Sequence, residues 1–349
     1  MKIKINLNKM EKITMKKIII LLSITTLYLN AAELPINPVP AIEAPVHNPR
    51  SLFEIAKEKV CGREYEKLET LVQSTKNVEI VDLILVQIRK HLNKDIFFTL
   101  FEKIKSKKMA AIFLNRITFN INQQNHNGKT LLYQASFNSQ PTSIIRLLIK
   151  NGANVNILSH HNFSPLQIAS GNFYSNCLEN AKLLLQAGAH VNAQDVYGAT
   201  PLHDASSYTL KKYAPLQLKI VKLLIDNGAN INIQDLDGET PLHIASRLGH
   251  FNIVELYMNC NPNINIQDNG GNTPLHKISS MFEFNFSNEK LKIAQLLIKH
   301  NADPCIVNNA GKLPYKISSN PEVRSYLKRE YKRKQEKRKA SELEESSPN

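Results

Sequence analysis

One tetrapeptide returns along this chain at nearly constant spacing, and that period limits the fold more than any other feature. Thr200-Pro-Leu-His203, Thr240-Pro-Leu-His243 and Thr273-Pro-Leu-His276 are full copies. Ser164-Pro-Leu-Gln167, Thr130-Leu-Leu-Tyr133 and Leu313-Pro-Tyr315 are eroded ones. From Thr130 the copies step by 34, 36, 40, 33 and 40 residues (164−130, 200−164, 240−200, 273−240, 313−273). A second marker keeps the same phase: Asn151-Gly-Ala-Asn-Val-Asn156, Ala187-Gly-Ala-His-Val-Asn192 and Asn227-Gly-Ala-Asn-Ile-Asn232. A chain that repeats one unit at this interval stacks like units, each burying its apolar face on the next.

The stretch Asp235 to His250 shows what the unit is. Asp235 and Gly238 are turn residues. Thr240 is a good N-cap, and Pro241 stands at the first helical position, where its missing N–H does no harm. Leu242 and Ala245 share a helix face. Gly249 can close the helix in the left-handed conformation. A second apolar run follows in Ile253, Val254, Leu256 and Tyr257. The unit reads as turn, short helix, tight turn, second helix.

The near-33 period with a T-P-L-H-x-A pattern resembles the ankyrin repeat. The resemblance implies an all-α, ankyrin-repeat solenoid of helix-turn-helix repeats with β-turn or hairpin loops between them. It also implies that His203, His243 and His276 bond back to the Thr and to the neighbouring turn. Partners are then expected on turn tips and on the exposed side of each first helix, forming a concave face. The tip positions are Gln124, His126 and Lys129; Leu158, His160, His161 and Phe163; Gln194, Val196 and Tyr197; Gln234, Leu236 and Asp237; Gln267, Asn269 and Asn272. The first-helix positions are Phe137, Ser207, Arg247 and Ser280. Apolar tips gather in the middle copies, so partner-binding residues are placed at Leu158, Phe163, Val196, Tyr197, Leu236 and Arg247.

The array is placed at 122–327, with about five to six repeats. The two 40-residue steps carry inserts after the first helix, at roughly Ser207 to Pro215 and Met281 to Asn288. Both are expected on one face. Residues 51–121 read as helical. Phe119-Asn-Ile-Asn122 stands in phase with the second marker, so Asp95 to Asn122 is read as a decayed N-terminal capping repeat. Residues 33–50 hold five prolines and form an extended linker. Residues 328–349 form a charged, partly helical tail.

The net charge of +14 is unevenly placed. Residues 1–32 carry +5, Arg324 to Lys339 +7 and the last ten residues −3, leaving +5 for the body between (14 − 5 − 7 + 3). The charge thus describes the ends and does not argue for a nucleic-acid groove along the repeats, so nucleic acid is an unexpected partner. Met15 to Ala32 has a basic start, an apolar run from Ile18 to Leu29 and small residues at its end, the plan of a secretory signal peptide. With Met15 as an alternative start to Met1, residues 1–32 are read as an export signal, and the apolar run is too short to span a bilayer. Export to the periplasm or beyond the cell is the expectation. The composition resembles that of ankyrin proteins from host-associated bacteria.

Chemistry is sparse. No Cys-x-x-Cys pair, metal-ligand spacing, Gly-rich phosphate loop or nucleophile-base order appears, and no disulfide is expected among Cys61, Cys177, Cys260 and Cys305. The function read from the sequence is non-catalytic protein binding, with no cofactor, metal or small-molecule substrate. The alternative is a nuclear-directed or nucleic-acid-associated adaptor using the basic C-terminal tail.

Overall fold

The computed structural model describes Phe98 and residues 101–345, apart from 103, 105, 116–119, 138–139, 173–175 and 279–286. The chain divides into two units, Met1–Gly62 and Arg63–Asn349, and every described residue belongs to the second. The signal segment, the Pro-rich linker, residues 51–97, the first-helix position Ser280 and residues 281–286 of the second insert lie outside the described residues.

Thirteen α-helices are described. A second-row helix, α1 (Lys107–Asn115), is followed by pairs α2 (Leu131–Phe137) and α3 (Thr142–Lys150), α4 (Pro165–Gly171) and α5 (Cys177–Gln186), and α6 (Pro201–Ser206) and α7 (Ala214–Asp226). Then come α8 (Pro241–Leu248) and α9 (Phe251–Met258), α10 (Pro274–Lys277) and α11 (Ser287–Lys299), and α12 (Pro314–Ile317) and α13 (Pro321–Glu345). First helices pack on first helices, and second helices on second helices. No strand occurs among the described residues. The array is therefore an all-α solenoid of stacked helix-turn-helix repeats.

Local chemistry accounts for the first helices. Ser164, Thr200, Thr240 and Thr273 sit in extended backbone, each followed by proline, and each closes a capping box with the residue three further on. That residue is Gln167 in α4 and the tetrapeptide histidine elsewhere. Gly249 ends α8 at φ +77°, as its position predicts. The core between the rows is built from small and medium apolar residues, among them Leu166, Ala169, Leu184, Leu202, Val221, Leu242, Val254, Leu275 and Leu297. Tyr257 is wholly buried, and its hydroxyl lies 2.5 Å from Ser206 Oγ.

The pairing continues beyond both ends of the recognisable pattern. α1 packs on α3 in the second row, which makes it the last helix of a preceding repeat. Phe101 and Phe113 meet at 6.1 Å inside that repeat. At the other end α13 runs unbroken through Leu327, into residues that read as tail. Tyr331 lies 5.4 Å from Tyr315, and Lys334 and Arg338 hold Asp303 at 3.0 and 3.1 Å. The first insert does not project as a loose loop. It forms a 3₁₀ turn, Lys211–Tyr213, that leads into α7, and Tyr208 and Tyr213 meet edge to face at 5.7 Å against the core.

Candidate partner-binding surface

Each tip is a five-residue turn closed on itself and fastened to the next. In Asp195–Ala199, the Asp195 N–H donates to the Ala199 carbonyl and Gly198 N–H to the Asp195 carbonyl, both at 3.0 Å. Asp195 Oδ1 accepts from the N–H groups of Tyr197 and Ala199. Asp235 does the same for Asp237 and Glu239. One backbone bond then links neighbouring tips: His160 N–H to Asn127, Val196 to His161, Leu236 to Tyr197, Asn269 to Asp237 and Asn309 to Gly270. The tips approach so closely that a Cβ on Gly238 would lie 2.7 Å from Asn269 N, and Gly238 also needs φ +76°.

Two side-chain ladders reinforce these links, and sequence reading missed both. The tip positions Gln124, Gln194, Gln234 and Gln267 were expected to face a partner. Their amides instead donate to the glycine carbonyl of their own tip and to the carbonyl of the next repeat, at Leu158, Gln234, Gln267 and Val307. Asn122, Asn156, Asn192, Asn232 and Asn265 accept from an N–H of the following repeat, on Asn154, His190, Asn230, Asn263 and Asp303. The signal was present: each glutamine stands one residue before its tip, and each asparagine closes the second marker.

The histidines act as the resemblance implies. His243 Nδ1 accepts the Thr240 N–H at 3.1 Å, so the ring proton resides on Nε2, which donates to the Asn272 carbonyl at 3.0 Å. His203 reaches the Glu239 carbonyl and His276 the Lys312 carbonyl in the same way. Burial holds all three below the ordinary imidazole value, His243 at about 4, against the opposing pull of the accepting carbonyls. They are neutral struts. Among the described residues no group of three or more His, Cys, Asp or Glu is placed to hold a metal, and Cys177, Cys260 and Cys305 are free.

The ladders consume backbone polarity and leave the side chains between them facing water. Tyr197 is 65% exposed, Leu236 69% and Val196 37%. Tyr197 and Leu236 occupy adjacent tips joined by the 2.9 Å bond from Leu236 N–H to the Tyr197 carbonyl. Leu158 and Phe163 are only half-buried: Leu158 fills a glutamine position, and Phe163 closes its turn, its N–H donating to Ser159 Oγ. Arg247, on the first-helix side, is tied to Glu239 Oε2 at 3.2 Å. Phe137 is exposed, with the Lys129 ammonium 5.7 Å from its ring.

Charge on the first helices is locally balanced in the later repeats. Lys277 Nζ lies 2.6 Å from Glu239 and 2.5 Å from Asp268, joining successive tips. Burial lowers and the two carboxylates more than restore its pKa, which ends above the ordinary lysine value. Asp204, half-buried on α6, differs. Burial first, then the charge of Asp195, raises its carboxyl to about 7.

A family model described as ankyrin repeats, in three copies, matches residues 68–195 and 211–308, well over half of the chain. The match begins upstream of α1 and ends before α12. No curated protein matches the chain.

Proposed function

The chain belongs to the ankyrin-repeat family, a scaffold for protein–protein interaction, and from that premise we propose that it captures one protein partner on its central tips without catalysing a reaction. The observation that carries this reading is the contiguous exposed set Val196, Tyr197 and Leu236. Large apolar side chains held outward by a rigid backbone ladder supply contact area at little entropic cost. Leu158 and Phe163 border this set, whereas Arg247 is held by Glu239. The partner is a protein. The membrane plays no part in the reading, and among the described residues no helix is long and apolar enough to cross one.

The reading includes export. Its support is the basic, apolar and small-residue sequence of Met15–Ala32, and the compositional resemblance to ankyrin proteins of host-associated bacteria. The partner then belongs to the periplasm or to a host cell. N-terminal sequencing of the cell-expressed protein checks this: a new terminus near Ala32 is expected, and an intact Met1 or Met15 on a cytosolic product removes export.

The binding test is a pull-down with the chain from Glu33 onward, against periplasmic and host-cell lysates in parallel. Tyr197→Ser/Leu236→Ser serves as the control, with Phe163→Ser/Tyr197→Ser beside it. One protein captured by the natural sequence and lost at least tenfold in the first variant, at unchanged Tm, is the expected result. Equal capture by both variants would move the binding site off these tips.

A further inference from the structure

The nine cations of Arg324–Lys339 ride on α13, and the array uses only one side of that helix. Val323 and Leu327 are buried, Tyr326 and Tyr331 half-buried, and Lys334 and Arg338 are drawn to Asp303. At about 100° per residue the remaining cations other than Arg324 fall into two rows on the solvent side. Lys328, Lys332 and Lys339 form one; Arg329, Arg333 and Lys337 form the other, while Arg324 donates to the Ser318 carbonyl at 2.8 and 2.6 Å and belongs to the array side. Ser325 and Glu336 lie between them. Glu330 touches Arg329 at 3.4 Å and Arg333 at 3.9 Å, but both arginines are about two-thirds or more exposed, at 71% and 67%, so these pairs bind them weakly.

The exposed positions from Arg324 to Ser341 carry no aromatic side chain and no apolar one larger than that of Ala340. A protein interface is centred on aromatic and apolar anchors and is poor in lysine. A helix that lies on a membrane needs an apolar face, and here that face is turned into the array. Two rows of cations on a straight helix match a different object, a regularly spaced polyanion. At 1.5 Å per residue the two rows run about 17 Å and about 12 Å. A helix about 10–12 Å across fits a B-form major groove about 12 Å wide, which has phosphates along both edges.

We propose that α13 binds duplex DNA, one row of cations meeting the phosphates on each side of a major groove, without reading its sequence. This site is separate from the central tips and independent of the partner bound there. The test is fluorescence anisotropy of the full chain with a labelled mixed-sequence DNA duplex of two to three helical turns. Six phosphate contacts predict a log–log salt slope of about −5, and a loss of affinity on the order of 10³-fold between about 50 and 200 mM salt. Two triple variants separate the rows: Lys328, Lys332 and Lys339→Gln, and Arg329, Arg333 and Lys337→Gln. Both spare Val323, Leu327, Lys334 and Arg338, and circular dichroism verifies the helix. Each should weaken binding at least tenfold and make the slope shallower by about 3.

Four results would overturn the proposal. They are no salt-dependent binding by the natural sequence, loss of binding in only one of the two variants, and equal binding of an RNA duplex, whose A-form major groove is too narrow for a helix. The fourth is equal occupancy of the site by polyglutamate or by anionic phospholipid vesicles.

Discussion

His243 and Gln167 occupy the same repeat position and show that two different side chains can do one job. Gln167 Oε1 accepts the Ser164 N–H at 2.9 Å, and its Nε2 donates to the Ala199 carbonyl at 2.9 Å. His243 does this with Nδ1 and Nε2. His243→Gln should therefore cost less than about 1 kcal/mol, and His243→Ala about 2–4, because Ala orphans a buried N–H and a buried carbonyl. The histidine alone adds a pH dependence. Its folded pKa of about 4 lies below the unfolded value of 6.5, so as pH falls through that window the unfolded chain takes up the proton first. Stability is lost from pH 6.5 downward, by up to about 3 kcal/mol for this residue. Chemical denaturation across pH 4–7 should show a flatter profile for His243→Gln; parallel profiles would remove His243 as a source of acid sensitivity.

Among the elements, the junctions differ more than the helices do. The tip before Leu158 is clamped to it by Gln124, whereas Leu158 has no amide with which to reach Asn162 and Gln194. Leu158→Gln should restore the clamp and stabilise the chain by roughly 0.5–1.5 kcal/mol, read as a rise in denaturation midpoint at unchanged m-value. A fall would show that Leu158 contributes more by packing than the clamp would. The turns, caps and helix starts were legible in the sequence because Thr-Pro, Asp-x-x-Gly and the tetrapeptide act within a few residues of themselves. The ladders were not, because Gln and Asn reach backbone carbonyls and N–H groups some 31 to 40 residues away, and a carbonyl leaves no mark on the sequence. The candidate site was half legible: Val196, Tyr197 and Leu236 stand outward, whereas Arg247 and the glutamines are engaged by the array itself.

In the molecule as a whole, stability is a sum over neighbours, so a change at one end should stay near that end. Ending the chain after Leu327 removes the contacts of Tyr331, Lys334 and Arg338 with the last repeat. Hydrogen exchange should then quicken in α12 and α11 while α4 to α6 keep their protection. Uniform loss of protection would show that the array melts as one unit. Continuity beyond Leu327 escaped the sequence reading because a run of Lys and Arg reads as solvated, and the acid that anchors it, Asp303, precedes it by more than thirty residues.

The same tip-to-tip ladder gives the array a mechanical character. Load applied along the stack meets short, directional hydrogen bonds on the tip edge and slidable apolar packing between the helices. The tip edge should therefore be the stiff rail and the helix rows the compliant one. Pulled from its ends, such a stack yields by releasing one rung at a time, each freeing roughly 120 Å of chain at about 3.6 Å per residue, and the rung that lacks its glutamine, after Leu158, is where release should begin.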